Sequence, residues 1–158
     1  MQPLISHVRD DGYQLSDDPA WLDFAAIHAF LTRTYWSPGI PRETVERAAR
    51  ASWCVGVYAP DGTQVGFARM ITDYATFGYL ADVYVTEAHR GRGLSKWMMD
   101  AIFSTDIAKG LRRTLLATRD AHGLYARSGF TPLGAPDRIM EINRPDIYAA
   151  AKDERGAA

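Results

Sequence analysis

The sequence predicts an α/β fold, α+β in the finer division: a single domain over residues 1–145 with a mixed, mostly antiparallel central sheet flanked by helices. Three observations predict it. Apolar strand-like runs outnumber helical patterns. Two of those runs, "SWCVGVYA" and "QVGFARMITDY", are joined by "PDGT", which has the composition of a hairpin turn. A third, "YLADVYV", passes through a glycine- and arginine-rich turn and an amphipathic stretch to a fourth, "RRTLLAT", as a strand–helix–strand unit.

The elements follow in order. "YQLSDD" reads as a short strand running into a helix, with Asp18 as N-cap and Pro19 in the first turn. That helix carries two apolar stripes, Leu22, Ala25, Ala26, Ala29 and Phe30 on one side and Phe24, Ile27, Leu31 and Tyr35 on the other. One stripe suffices to pack on a sheet, so the second is expected to face another element or a cleft. "YWSPGIP" breaks the helix, and Pro41 opens another over "RETVERAARA". After the hairpin, "ATFG" reads as a loop before "YLADVYV". The following helix puts Leu94, Trp97, Met98, Ala101 and Ile102 on one face. "DAHGLYARSG" reads as a short helix ended by Gly129, "RIMEIN" as a last strand, and residues 146–158 as a mobile tail.

Composition narrows the function. The chain has 158 residues, enough to bury an ordinary core, and its net charge of −1 argues against nucleic-acid binding. No apolar run approaches the length of a membrane span and no leader pattern is visible, so a soluble cytoplasmic protein is expected. The single cysteine, Cys54, has no partner for a disulfide and lies in an apolar run that suits a buried structural thiol. His7, His28 and His89 lack ligand-like spacing and His122 reads as an exposed helical histidine, so no metal is expected. A homodimer is the general expectation for soluble proteins.

The chemistry concentrates in "VYVTEAHRGRGLSKWMMDAIF". Neither the Walker A spacing nor the dinucleotide fingerprint fits, because Lys96 follows Ser95 with no preceding glycine and also stands where a third glycine is required. The physics common to both still applies. The first amides of a helix lack intrahelical partners and its N-terminus is electropositive. Gly91 and Gly93 leave that backbone bare, while Arg90, Arg92 and Lys96 add charge. A diphosphate is the guest this arrangement suits.

Arg90-Gly91-Arg92-Gly93-Leu94-Ser95 resembles the acetyl-coenzyme A loop of the GNAT superfamily of N-acetyltransferases, with Ser95 replacing a smaller final residue. "LYARSGF", some 30 residues on, resembles that family's second signature. The resemblance covers roughly Asp73 to Asn143. It implies a GNAT fold and transfer of acetyl from acetyl-coenzyme A to a primary amine, small-molecule in the first instance, by direct attack in a ternary complex. The alternatives are a non-catalytic coenzyme A-binding or sensor module and an acetyltransferase acting on protein lysines or N-termini. It also implies coenzyme contacts along residues 90–96, with backbone contacts from Val83 and Val85 where the strand splays, and a contact from Thr118. Tyr125 is implied as general acid, against the alternative of a core tyrosine.

Asp82 is a carboxylate in an apolar strand, where an unpaired charge is costly. Some amine-acetylating relatives carry a Glu-Asp pair there; this chain has Ala81-Asp82. Asp82 is therefore either the base or the partner of Arg69 in a structural ion pair, with water-relayed proton loss as the main competitor to the base role. Tyr35, Trp36, Tyr74 and Phe77 are expected in two loops flanking the thioester, where aromatic rings suit a small apolar or cationic amine.

Overall fold

The computed structural model describes residues 3–149. Among them six strands form one sheet in the order β1-β2-β3-β4-β5-β6: β1 Ser6–Val8, β2 Gln14–Ser16, β3 Trp53–Tyr58, β4 Gln64–Thr72, β5 Phe77–Val85 and β6 Arg113–Leu116. The first five form an antiparallel meander, and β6 lies parallel to β5. A parallel neighbour needs a crossover, which α3 (Leu94–Ser104) and α4 (Asp106–Gly110) supply. On the chain's N-terminal side α1 (Phe24–Leu31) and α2 (Arg42–Arg50) precede β3, and α5 (His122–Ala126) follows β6. The mixed, mostly antiparallel sheet matches the expectation.

Two cores lie on the two sheet faces. Leu94, Met98, Met99 and Ile102 of α3 pack with Val55, Val57, Met70 and Leu80. Ile27 and Leu31 of α1 and Val45 and Ala49 of α2 pack with Cys54, Phe67 and Tyr84. With both faces covered, every residue of β3 is buried, which explains its unbroken apolar composition. Each fully buried Leu, Ile or Met side chain contributes about 1.5–3 kcal/mol.

Several expectations are corrected. Asp18 caps only a single 3-10 turn, Pro19–Trp21; the helix begins at Phe24, where Asp23 accepts from the Ala26 amide at 3.0 Å. The apolar stripe containing Ile27 and Leu31 enters the core, while Phe30 on the other stripe stacks on Tyr84 at 3.8 Å between centroids. Strand β1 and helix α4 carry no strong pattern in the sequence and were not expected. The run "RIMEIN" forms no strand: Arg138 ends a 3-10 turn and residues 139–143 pair with no described strand, leaving Met140 and Ile142 93% and 83% exposed. Met140-Glu141-Ile142-Asn143 alternates as a strand does, but backbone pairing is a tertiary requirement that the run does not meet. Of the expected tail, residues 150–158 lie outside the described residues, while Tyr148 packs against the α1–α2 core.

Candidate functional site

The sheet opens where β5 meets its neighbours. Strand β5 pairs with β6 only from Phe77 to Leu80, so its remaining length has a free edge facing β6. On the other side, Arg69 opposes Ala81 and Phe67 opposes Tyr84, which sets Asp82 and Val83 against Ala68 alone. This is a β-bulge, and Asp82 takes φ 55°, a left-handed conformation that Asp tolerates better than most residues. The bulge resets the alternation and turns Asp82 out of the core. The anticipated ion pair forms: Arg69 Nε donates to Asp82 Oδ2 at 2.8 Å. Trp36 Nε1 donates to the other oxygen at 3.0 Å.

Beyond β5 the chain makes a 3-10 turn, Glu87–His89, and enters the glycine loop. Gly91 and Gly93 both have positive φ, 77° and 71°, and Gly93 is the N-cap of α3 with no side-chain cap. Among the described residues, no backbone or side-chain acceptor reaches the amides of residues 91–96. Arg90 is tied inward, its Nε donating to the Val85 carbonyl at 3.0 Å. That bond draws the loop against the end of β5. Lys96 lies exposed with Asp100 at 3.7 Å.

Two cavities extend from this region. One, about 800 Å³, runs from Arg90 and Ser95 along Val83 and Val85 to Tyr125. The other, about 670 Å³, is walled by Trp36, Tyr79, Asp82, Thr118, Tyr125 and Tyr148. Tyr125 borders both. It is 9% exposed, and its hydroxyl has no hydrogen-bond partner among the described residues. Burial, then the neighbouring Tyr35 and Asp120, pushes its phenol up to about 12. It is therefore a neutral donor at any ordinary pH.

Tyr35 and Trp36 stand together over the junction in an edge-to-face pair at 5.1 Å. Arg119 lies 4.0 Å from the Tyr35 ring centroid and links the α1–α2 connection to the loop before α5. Tyr74 and Phe77 are not brought to either cavity. Asp73 collects the amides of Ala75, Thr76 and Phe77 in a tight turn, so β5 starts at Phe77, at the opposite end of the strand from Val85. The Thr76 hydroxyl, then those amide bonds, hold the Asp73 carboxyl well below the usual carboxylate range. Thr118 borders the second cavity, but its Oγ1 accepts from the Ala121 amide at 3.0 Å and so closes the turn that leads into α5. Tyr79, Arg119 and Tyr148 were missed. Tyr79 sits in an apolar strand run and Tyr148 in a segment read as tail; nothing local distinguishes either.

Among the described residues, no cluster of three or more His, Cys, Asp or Glu side chains could hold a metal ion. None of the described helices is long and apolar enough to cross a membrane.

The comparisons with known proteins agree with this architecture. A candidate acetyltransferase of Gibberella zeae is 36% identical over 138 residues, covering 73% of this chain and 77% of its own. The crystal structure of a candidate GNAT-family acetyltransferase from Xanthomonas campestris pv. campestris is 48% identical. It superposes with a TM-score of 0.84 over 90% of this chain and 99% of that one. An acetyltransferase-like protein of Clostridium acetobutylicum, crystallised with acetyl-CoA, shares the fold at a TM-score of 0.59 and 16% identity, covering 83% and 94% of the two chains. The profile of the acetyltransferase (GNAT) family matches residues 17–130, and the chain belongs to that family.

Proposed function

We propose that this protein transfers the acetyl group of acetyl-coenzyme A directly to a primary amine of a small molecule within a ternary complex. The observation that carries the reading is the meeting of two cavities at Tyr125, one reaching Arg90 and Ser95 at the glycine loop and the other walled by aromatic rings around Asp82. The groups present fit the coenzyme. Free amides at the positive end of α3 suit a diphosphate, with Arg92 and Lys96 adding charge nearby. The unpaired edge of β5 at Val83 and Val85 suits the amides of a pantetheine arm.

Acetyl-coenzyme A would supply an acyl carbon activated by a thiolate leaving group. Transfer forms one C–N bond, breaks one C–S bond and releases one proton from the amine. The protein's part is positioning and charge. Tyr35 and Trp36 border both cavities where they meet, so they can hold the acceptor against the thioester, and holding two reactants in line can supply several kcal/mol of the barrier. Tyr125, kept neutral by burial, donates its hydrogen bond where negative charge develops on the departing sulfur. Asp82, both of whose oxygens already accept hydrogen bonds, acts chiefly as a fixed acceptor and brace beside the entering amine. Water in the second cavity then takes the proton. Thr118 contributes by holding the start of α5, and with it Tyr125.

The test mixes purified protein with acetyl-coenzyme A and a panel of small amines, peptides bearing lysine and peptides with free N-termini. Thiol release with a mass increase of one acetyl group on a small amine is expected. Coenzyme binding without thiol release would instead make the protein a binding module, and acetylation confined to peptides would make its acceptor a protein.

A further inference from the structure

The diphosphate loop is gripped from outside by the turn between β1 and β2. Arg9 begins that turn, with its amide donating to the Tyr13 carbonyl and the Gly12 amide donating back to its own carbonyl, both at 2.8 Å. All three of its guanidinium nitrogens donate. Nε and Nη2 form a fork on the Asp11 carboxylate at 2.8 and 2.6 Å, and Nη1 donates to the carbonyl of Arg92 at 2.9 Å. The same group lies 5.4 Å from the Tyr13 ring and 5.3 Å from the Trp97 ring. Tyr13 in turn bonds His89 Nδ1 through its hydroxyl at 2.7 Å. The turn therefore holds the chain just before the loop, within it, and one helical turn beyond.

The Arg92 contact has a directional consequence. A trans peptide is planar, with C=O and N–H on opposite sides. Fixing the Arg92 carbonyl toward Arg9 fixes the Gly93 amide on the opposite side, where no acceptor among the described residues reaches it. It also keeps the partial negative charge of that carbonyl off that side. Without such a hold, a loop with glycines at 91 and 93 would sample many conformations, and binding would have to order it.

We propose that Arg9 is a positioning residue of the diphosphate cradle: by holding the Arg92–Gly93 peptide in its binding orientation, it raises affinity for diphosphate-bearing acyl carriers without touching them. This rests on the reading of residues 91–96 as the coenzyme site. Acetyl-coenzyme A and S-acetylpantetheine, which shares the thioester but lacks the diphosphate, separate this role from a general loss of structure.

The experiment measures steady-state kinetics with both donors, and calorimetric binding of coenzyme A, for the wild type, Arg9→Met and Arg9→Lys. Methionine keeps an apolar stem against Tyr13 and Trp97 but cannot donate. Arg9→Met is expected to raise KM for acetyl-coenzyme A and Kd for coenzyme A about tenfold, the worth of one charge-assisted hydrogen bond. kcat should stay within about twofold and kinetics with S-acetylpantetheine should be unchanged. Arg9→Lys, which can still donate to the Arg92 carbonyl, should recover part of the loss. If Arg9→Met fails to fold, Asp11→Asn on the exposed turn loosens the fork instead and should raise KM with the same donor dependence. Unaltered coenzyme affinity in the variants, or an equal loss with both donors, overturns the role of Arg9 alone. A wild-type protein that binds no coenzyme A overturns the underlying reading of the loop and this inference with it.

Discussion

Arg69 donates to Asp82 across the bulge between β4 and β5, and Trp36 donates to the same carboxylate from the connection between α1 and α2. One acidic group thus joins the sheet to the segment that covers the cavities. An exposed ion pair is worth about 0–1 kcal/mol. Here the two side chains are 17% and 12% exposed, so the cost of leaving one charge unpaired dominates.

Arg69→Met is accordingly expected to lower stability by about 3 kcal/mol, read as a fall in the urea midpoint at unchanged slope. Asp82→Asn leaves Arg69 without its counter-charge but should cost somewhat less, about 2–3 kcal/mol, since asparagine tolerates the left-handed conformation and still accepts one hydrogen bond, and Arg69 keeps its bond to Ser52. The pH–rate profile of Asp82→Asn then addresses chemistry separately from folding. If water takes the amine proton, the acidic limb stays where the wild type has it. A displaced limb would make Asp82 the base.

Gly93 tests the loop directly. Nothing lies within 4 Å of where its Cβ would stand, so an alanine meets no clash. It does meet the backbone penalty of φ 71°, about 1–2 kcal/mol. Gly93→Ala is expected to weaken coenzyme A binding about tenfold or more by calorimetry, with only a modest loss of thermal stability. Unchanged affinity would remove the loop amides from the site.

Cys54 is expected to be inert in the folded protein. It is buried, donates to the Ala49 carbonyl at 3.4 Å, and burial pushes its thiol up to about 12, with Asp82 adding to the shift and Arg69 opposing it. A thiol reagent at neutral pH should label it only after unfolding. The raised value also predicts a pH effect. The unfolded thiol ionises near about 8.5, so its contribution to stability is complete below that pH. It is then lost as pH rises toward about 12. The difference in alkaline unfolding between the wild type and Cys54→Ser would measure it.

These residues also mark how far the sequence could be read. The glycine loop was legible because its information is local: a strand end, bare backbone and a helix start occur within a dozen residues. Tyr125 was legible through its resemblance and Asp82 through its anomaly as a charge in an apolar run. The geometry around Asp82 was only half legible, because the bulge depends on the register between two strands. Tyr74 and Phe77 were misplaced because the Asp73 turn starts β5 earlier than the apolar pattern suggests. "RIMEIN" ends in the alternating residues Met140 to Asn143 but has no pairing partner among the described strands. Arg9 could not be read at all, since its partner carbonyl lies 83 residues away and any residue supplies a carbonyl.

Tyr125→Phe isolates the donor at the junction of the cavities. The phenyl ring preserves the packing against Phe130, whose centroid is 6.1 Å away, so the fold and coenzyme affinity should be kept. Loss of one donor to developing charge lowers kcat by about 10²–10³-fold in other sites of this kind. The same order is expected here, with coenzyme A Kd within about twofold of the wild type. The pH dependence follows from the direction of the shift. Burial raises the phenol, so the donating form persists as pH rises past the ordinary tyrosine value and is lost only toward about 12. A wild-type kcat profile with a falling limb near about 10 that vanishes in Tyr125→Phe would mean the phenol titrates normally, contradicting its burial. Unchanged turnover in the variant would return Tyr125 to the core.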